Sequence, residues 1–252
     1  MSHFKDLIKD FDPITLDEMD EVKLMSRTDT KFAFSSAKLP QLLSRMLPFY
    51  RILNINNKLI HDYKSLYYDT SENKFYLDHH NNRVNRNKIR FREYVDSGLV
   101  FLEIKTKNNK GKTIKKRMKV KSISDKLNSE QQDYINKIIG NEISVEPKQW
   151  INFYRMTFVH KKQKERLTVD VDLTFSENDK KGDLKNIIIG EVKQERMSRS
   201  SDFMRIAKDL NILPIRISKY CMSTLSLHPN LKSNRFKPKV LFIEKLKNYN
   251  LN

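Results

Sequence analysis

Only one cysteine, Cys221, occurs among the 252 residues. That excludes an internal disulfide and a cysteine-rich zinc site. Glycine and proline are scarce as well, five and seven, which leaves nothing from which to build a flexible linker or a low-complexity tract. No apolar run approaches the roughly 20 residues needed to span a bilayer as a helix. The N-terminal MSHFKDLIKDFDP is acidic and has no signal-peptide pattern, so a soluble, cytoplasmic protein is expected. No repeat recurs at solenoid periods.

Positive charge, by contrast, is plentiful. Lys and Arg number 49 against 31 Asp and Glu, a net charge of +18. Such an excess points to a polyanionic partner: nucleic acid, an anionic membrane or a phosphate-rich small molecule. A lysine-rich surface that merely keeps the chain soluble gives the same count, so the positions of the charges must decide. The length fits one large domain, and an all-β barrel can fill it alone.

Helical spacing of apolar residues predicts four helices. They cover the first 25 residues (Ile8, Phe11, Met19, Val22, Met25), Ser36–Met46 (Leu39, Leu42, Leu43, Met46), Ser124–Ile139 (Leu127, Tyr134, Ile135, Ile138) and Ser200–Leu210 (Phe203, Ile206, Ala207, Leu210). Between them the period is two. In Arg166–Phe175, Leu167, Val169, Val171, Leu173 and Phe175 alternate with Arg166, Thr168, Asp170, Asp172 and Thr174, giving a strand with one apolar and one polar face. Lys88, Arg90 and Arg92 share a face of Lys88–Val95. So do Glu103, Lys105 and Lys107 in Phe101–Lys107, and Lys115, Arg117, Lys119 and Lys121 in Thr113–Lys121. Ile187–Glu195 sets Glu191, Lys193 and Glu195 together. Six or more such strands with few helices between them predict a mainly antiparallel sheet. Two arrangements fit. With polar faces outward the charges are decoration; with polar faces inward they line a basic tunnel, and amphipathic helices must cover the apolar outside.

The order of short motifs separates the two. SRTDTKF (Ser26–Phe32) precedes SLYYDT (Ser65–Thr70), HHNNRVNRNKIRFREY (His79–Tyr94), FLEIKTK (Phe101–Lys107), KKR (Lys115–Arg117) and NFYRMTF (Asn152–Phe158). ERLTVDVDLTF (Glu165–Phe175), IIGEVK (Ile188–Lys193), SRSSDF and SKYCM (Ser218–Met222) follow. This series resembles the VTC domain, the polyphosphate-polymerase branch of the triphosphate tunnel metalloenzymes (the CYTH-like superfamily), from about Arg27 to Met222. The resemblance implies an α+β fold: a closed antiparallel eight-stranded β-barrel tunnel with a polar, basic lumen covered by amphipathic helices. One such domain would occupy residues 1–230, with a basic tail over 231–252.

The resemblance further implies a catalytic set of Arg90, Arg92, Lys105, Arg155 and Arg166. Lys31, Lys88, Lys115, Arg117, Lys193 and Lys219 would bind phosphate, with Lys219 closing one mouth from a C-terminal helix. Glu191 would hold Mn2+ or Mg2+. Asp170 and Asp172 would either touch the metal or orient Arg166, and Glu103 reads as a structural partner of Arg or Lys. The implied partners are ATP and inorganic polyphosphate or tripolyphosphate, with no specific nucleic acid and no transmembrane segment; the oligomeric state is left open. Eukaryotic relatives carry a phosphate-sensing domain and transmembrane helices, both missing here. Hydrolase and cyclase branches of the fold tend to begin with an ExExK strand, whereas this chain reads RTDTKF, which favours the polymerase branch. The alternatives are a tripolyphosphate or nucleoside-triphosphate hydrolase, or a non-catalytic polyphosphate or nucleic-acid binder. His79 and His80 are too few for a metal site and read as a loop or strand end near the phosphates, with Arg83 and Arg86 close by, either extending the basic mouth or simply solvated. Tyr67, Tyr68, Trp150 and Phe153 read as packing residues, and Cys221 as buried in the closing helix. The tail, Lys232–Asn252, reads as a helix on the barrel, a membrane-surface contact or a partner site.

Overall fold

The structure, a computed structural model, describes residues 2–21, 28–110, 113–196, 198 and 201–248. Val22, Met25, Ser26, Arg27, Arg199 and Ser200, which figured in the sequence reading, lie outside the described residues. Pro13 splits the expected first helix. It lacks an N–H and forces its predecessor into an extended shape, so α1 (Ser2–Leu7) and α2 (Leu16–Glu21) flank a two-residue strand, β1 (Pro13–Ile14).

The remaining elements are β2 (Thr28–Ser35), α3 (Leu39–Met46), β3 (Tyr50–Leu53), β4 (His61–Asp69), α4 (Lys74–His80), β5 (Arg86–Tyr94), β6 (Leu99–Lys107) and β7 (Thr113–Val120). After them come α5 (Ser129–Ile139), β8 (Glu146–His160), β9 (Glu165–Glu177), β10 (Lys180–Leu184), β11 (Ile187–Gln194), α6 (Asp202–Asp209), α7 (Lys219–Leu227) and α8 (Lys237–Asn248). Helix α5 starts at Ser129 rather than Ser124. There Asn128 and Gln131 form a reciprocal capping box that satisfies otherwise unpaired N–H groups. Among the described residues, no helix is long and apolar enough to cross a membrane.

Eight strands follow one another in the order β2-β11-β9-β8-β4-β5-β6-β7, and every ladder along this path is antiparallel. Among the described residues no ladder joins β7 back to β2, so hydrogen bonds do not close the sheet into a ring. It is nonetheless strongly curled. The segment entering α7 ties together strands five ladders apart: the Ile215 N–H donates to Lys31 O on β2 at 2.8 Å, and close behind it in the chain Ser218 Oγ accepts from Lys88 of β5 at 3.0 Å. Across a flat sheet those two strands would stand about 24 Å apart.

Helices cover the outer face, and that decides which way the polar side chains point. Phe32, Phe34, Met156, Phe158, Leu167, Val169 and Val192 pack against α3 and α6 through Leu42, Leu43, Met46, Phe203 and Ile206. Leu66, Phe91, Leu102 and Ile104 pack with Ile135 of α5. With the outside sealed, the alternate residues of each strand line the concave side. Of the three readings of the tail, the packing of α8 matches the helix on the barrel: Ile243 is buried in a third core cluster with Tyr220, Leu225 and Phe236, and Val240, Phe242 and Leu246 pack against it.

One strand departs from its sequence pattern. The alternation of β9 is unbroken in sequence, but Asp172 takes a left-handed conformation, φ 51°. The register against β8 slips there, between Asn152 and Tyr154. An extra residue in one strand turns the following side chains to the other face. Leu167, Val169 and Val171 therefore belong to the outer core, whereas Leu173 and Phe175 join the inner cluster with Ile151 and Ile189. Asp172 does not share the face of Asp170.

Candidate functional site

The concave side gathers all the cationic residues that the resemblance singled out. Lys88, Arg90 and Arg92 come from β5, Lys105 from β6, Lys115 and Arg117 from β7. Arg155 comes from β8, Arg166 from β9, Lys193 from β11, Lys31 from β2 and Lys219 from the start of α7. Together they form a basic trough.

Three carboxylates stand in it, each divided between two cations. Glu103, fully buried, accepts from Arg90 Nε and Nη2 at 3.0 and 2.7 Å and pairs with Lys115. Asp170, 2% exposed, receives both arms of Arg155, at 2.5 and 2.8 Å, and the Lys219 ammonium. Glu191 lies between Lys31 and Lys193. Glu103 is thus the structural partner that was expected. The orientation expected of Asp170 falls on Arg155 and Lys219, its neighbour across the ladder and the helix above it, and not on Arg166. Arg166 lies opposite Lys193 in the β9–β11 ladder.

Carboxylates do not offset every cation. Arg92, 6% exposed, donates to Ser65 Oγ at 3.1 Å, and its guanidinium stands over the rings of Tyr63 and Phe153 at 5.3 and 5.4 Å. Lys88 donates to Ser218 Oγ at 3.0 Å. Lys105 forms no hydrogen bond or ion pair among the described residues, and it faces Lys88 and Lys115 across the two adjacent ladders. Like charges set directly opposite destabilise a sheet. Arg117 stacks over Phe101 at 4.6 Å on the exposed edge strand.

The titration of these groups follows from the crowding. Burial raises the Glu103, Asp170 and Glu191 carboxyls, but their paired cations override it and hold all three below the usual carboxylate range. Burial pushes Lys105 well below its ordinary value, with Arg90 adding to it. Burial likewise brings Lys115 and Lys193 down to about 8, Glu103 and Glu191 offsetting only part of it. For Lys115 the sign is definite. Its folded value lies below the ordinary 10.5, so the unfolded chain binds more protons between about 8 and 10.5, and folded stability gains from this group as pH rises through that window. An anion bound beside the ammonium raises its pKa, so binding takes up a proton. Affinity for tripolyphosphate is expected to be highest below about pH 8 and to fall about threefold to tenfold by pH 9.5. Calorimetric titration at fixed ionic strength checks this, and Lys115→Arg is expected to flatten the profile.

Helix α7 seals one end of the trough. Gln149 Nε2 donates to Tyr220 O, Ser223 Oγ and Thr224 Oγ1 at 3.0, 2.7 and 3.0 Å. Asp69, fully buried, accepts from the backbone of Thr70, Phe75 and Tyr76 and from Tyr220 Oη. These contacts fix the first turn of α7, which brings Lys219 to Asp170 and Ser218 to Lys88. As expected, Cys221 is buried in this helix.

Several residues of the trough were not picked out as part of it beforehand. Tyr67 accepts from Arg90 Nη1 at 2.6 Å, and Ser65 and Tyr63 support Arg92. Phe153 is a platform under three cations, Arg92, Arg155 and Lys219. Tyr63, Ser65 and Tyr67 alternate along β4, a signal that was available in the sequence; the role of Phe153 has no such signal.

Among the described residues no three His, Cys, Asp or Glu side chains come together as a metal site. Glu191 offers a single carboxylate, already held by two lysines. That donor set does not suit an ion caged by protein alone. It suits Mg2+ or Mn2+ completed by phosphate oxygens and water, as Mg2+ is commonly held by one or two carboxylates and its substrate.

Comparison with known proteins is consistent with this architecture. The family described as VTC domain matches residues 26–228. No curated protein matches the chain. An adenylate cyclase candidate from Bacillus halodurans is similar in structure, with a TM-score of 0.51 and 13% identity, over 79% of this chain and 98% of that one. At that identity the likeness concerns the fold. Another similar structure, with a TM-score of 0.49 and 15% identity over 79% and 96% of the two chains, is an adenylyl cyclase candidate from Hippeastrum with a dominant triphosphatase activity.

Proposed function

Because the chain belongs to the VTC domain family, we propose that it is a phosphotransferase that moves the γ-phosphate of ATP onto a polyphosphate chain held in the basic trough. The observation that carries this reading is buried positive charge that the protein does not balance: three carboxylates are already shared out, Arg92 has none as an ion-pair partner among the described residues, and Lys105, its hold on a proton weakened by burial, regains it beside a bound anion. Desolvated like charges are costly, and a ligand with negative charge on every unit relieves that cost along the whole trough. On this reading the curled sheet acts as the tunnel.

Phosphoryl transfer asks little covalent chemistry of the protein; positioning and charge neutralisation dominate. Arg90, Arg92, Arg155 and Arg166 present planar forks suited to pairs of phosphate oxygens. Lys31, Lys88, Lys105, Lys115, Lys193, Lys219 and Arg117 act as point charges along the chain. The terminal oxygen of the polymer attacks the γ-phosphorus in line as the bond to the β-phosphate oxygen breaks, and ADP leaves. Helix α7 keeps water from one end of the trough, which favours the polymer end over water as acceptor. Mg2+ or Mn2+, held by Glu191 with phosphate oxygens and water, would supply charge neutralisation at the leaving group.

Purified protein incubated with ATP and either metal ion, with the products resolved on a gel stained for polyphosphate, tests the reading. A ladder that vanishes in Glu191→Ala is expected. Orthophosphate alone, released from tripolyphosphate or ATP, would assign the trough to a hydrolase. Tight polyphosphate binding with no turnover of either would remove the enzyme reading and leave a binding module.

A further inference from the structure

We propose that Thr168, with Thr157 beside it, is a positioning residue of the trough: its hydroxyl accepts a hydrogen bond from a water on the divalent ion that Glu191 holds. This rests on the trough being a phosphate-chain site. Strand β9 turns Leu167 and Val169 into the outer core, so Arg166, Thr168 and Asp170 face the trough. In the same way β8 turns Met156 and Phe158 outward, and Arg155 and Thr157 inward. The two threonines stand opposite each other in the β8–β9 ladder, and Thr168 stands opposite Glu191 in the β9–β11 ladder. Lys31 flanks Glu191 on its other side. Thr157, Thr168, Glu191 and Lys31 therefore form one row across neighbouring strands, where directly opposed Cβ atoms lie about 5 Å apart.

What singles out Thr168 is a hydroxyl with nothing to bond. The residue is 4% exposed, and its buried Oγ1 makes no hydrogen bond among the described residues. Thr157 is buried next to it. An unpaired buried hydroxyl is a standing cost that an apolar side chain of the same shape would avoid. Elsewhere in the trough hydroxyls already accept from cations: Tyr67 from Arg90, Ser65 from Arg92 and Ser218 from Lys88.

Around Thr168 the trough is rich in donors and poor in acceptors. Arg155, Arg166, Lys31 and Lys193 bring charged N–H groups that suit phosphate oxygens better than a hydroxyl does. Asp170 is taken up by Arg155 and Lys219, which leaves Glu191 and the threonine hydroxyls to accept. Mg2+ bound through one carboxylate keeps several of its waters, and each of these is a donor. Outer hydrogen bonds of this kind orient the ligands of an ion and add to its affinity. Lys31 and Lys193 clasp Glu191 in the ligand-free protein. A phosphate chain competes for both ammoniums and frees the carboxylate beside Thr168.

Thr168→Val keeps the shape and deletes the hydroxyl, whereas Thr168→Ser keeps the hydroxyl. Tripolyphosphate is titrated calorimetrically into the full chain at fixed ionic strength, once with excess Mn2+ and once with EDTA. Thr168→Val is expected to weaken binding in Mn2+ about tenfold and binding in EDTA by less than about twofold, with Thr168→Ser close to the unaltered protein in both. Without ligand the valine variant is expected to melt no lower than the unaltered protein, because the hydroxyl has no bond to lose. Equal losses in Mn2+ and EDTA would make Thr168 a donor to the phosphate chain and overturn the assignment. A lowered melting temperature, or undiminished binding in Mn2+, would overturn it as well, and each of these results leaves the trough reading standing. Failure of the unaltered protein to bind tripolyphosphate in both buffers would overturn the trough reading, and this inference with it.

Discussion

Replacing Arg92 by methionine is expected to lower chain-extension turnover about 100-fold to 1000-fold and to leave the protein as stable as before, or more so. Arg92 is buried, holds a single neutral hydrogen bond to Ser65, and has no carboxylate partner. Burial and the neighbouring Arg90 charge both act against its protonated form. Glu103 offsets that charge only in part, and an apolar side chain of similar length removes it, as happens when buried ionic groups give way to well-packed apolar ones. Its place over the edges of the stacked Tyr63 and Phe153 rings suits a thioether equally well. Thermal melting and turnover, measured on the same preparation, are expected to move independently or in opposite directions. A drop in melting temperature that tracks the loss of activity would mean that Arg92 is a structural residue. Arg90→Met supplies the contrast. It strips Glu103 of its two-pronged partner and leaves the carboxylate to Lys115 alone, so both stability and turnover are expected to fall.

Asp170→Asn is expected to have the largest effect on stability, about 3–5 kcal/mol, read from urea denaturation. The carboxylate is 2% exposed and neutralises both Arg155 and Lys219; the amide leaves two buried cations without a counter-charge. The same bond fastens the N-terminal turn of α7 to β9, so the seal at that end of the trough loosens as well. A bound phosphate chain supplies the missing negative charge. Saturating tripolyphosphate is therefore expected to stabilise Asp170→Asn by more than it stabilises the unaltered protein, beyond the ordinary mass-action effect. Equal stabilisation of the two would place the anion elsewhere.

How far the sequence discloses this protein varies from element to element. In β5, β6 and β7 the alternation assigns Arg90 with Arg92 and Lys115 with Arg117 to shared faces, and the structure has them so. Repeated apolar positions likewise identify the buried faces of α3 and α6. Boundaries are less legible, because caps and breakers act locally: Pro13 divides the N-terminal helix, and Asn128 moves the start of α5. The bulge at Asp172 leaves no mark on the pattern of β9, since the strand keeps its alternation while the backbone inserts a residue against β8. Neither the capping of α7 by Ser218 nor the anchoring of its first turn by Asp69 and Gln149 has a periodicity to announce it, because each joins positions far apart in the chain.

By itself, then, the sequence determined the charge surplus, the composition that excludes disulfides, and the grouping of cations by strand. A period of two depends only on backbone geometry, and the order of motifs carried the family. The direction of the polar faces was a matter for tertiary structure. Identical strands would turn their cations outward if the helices covered the other side, and only the packing of α3, α5 and α6 on the apolar faces sends them inward. The pairing of Glu103, Asp170 and Glu191 with particular cations was decided there too, since it depends on strand order and on the curl of the sheet. So was the path of α8, which reads as a basic tail until the fold buries its Ile243 with Tyr220, Leu225 and Phe236.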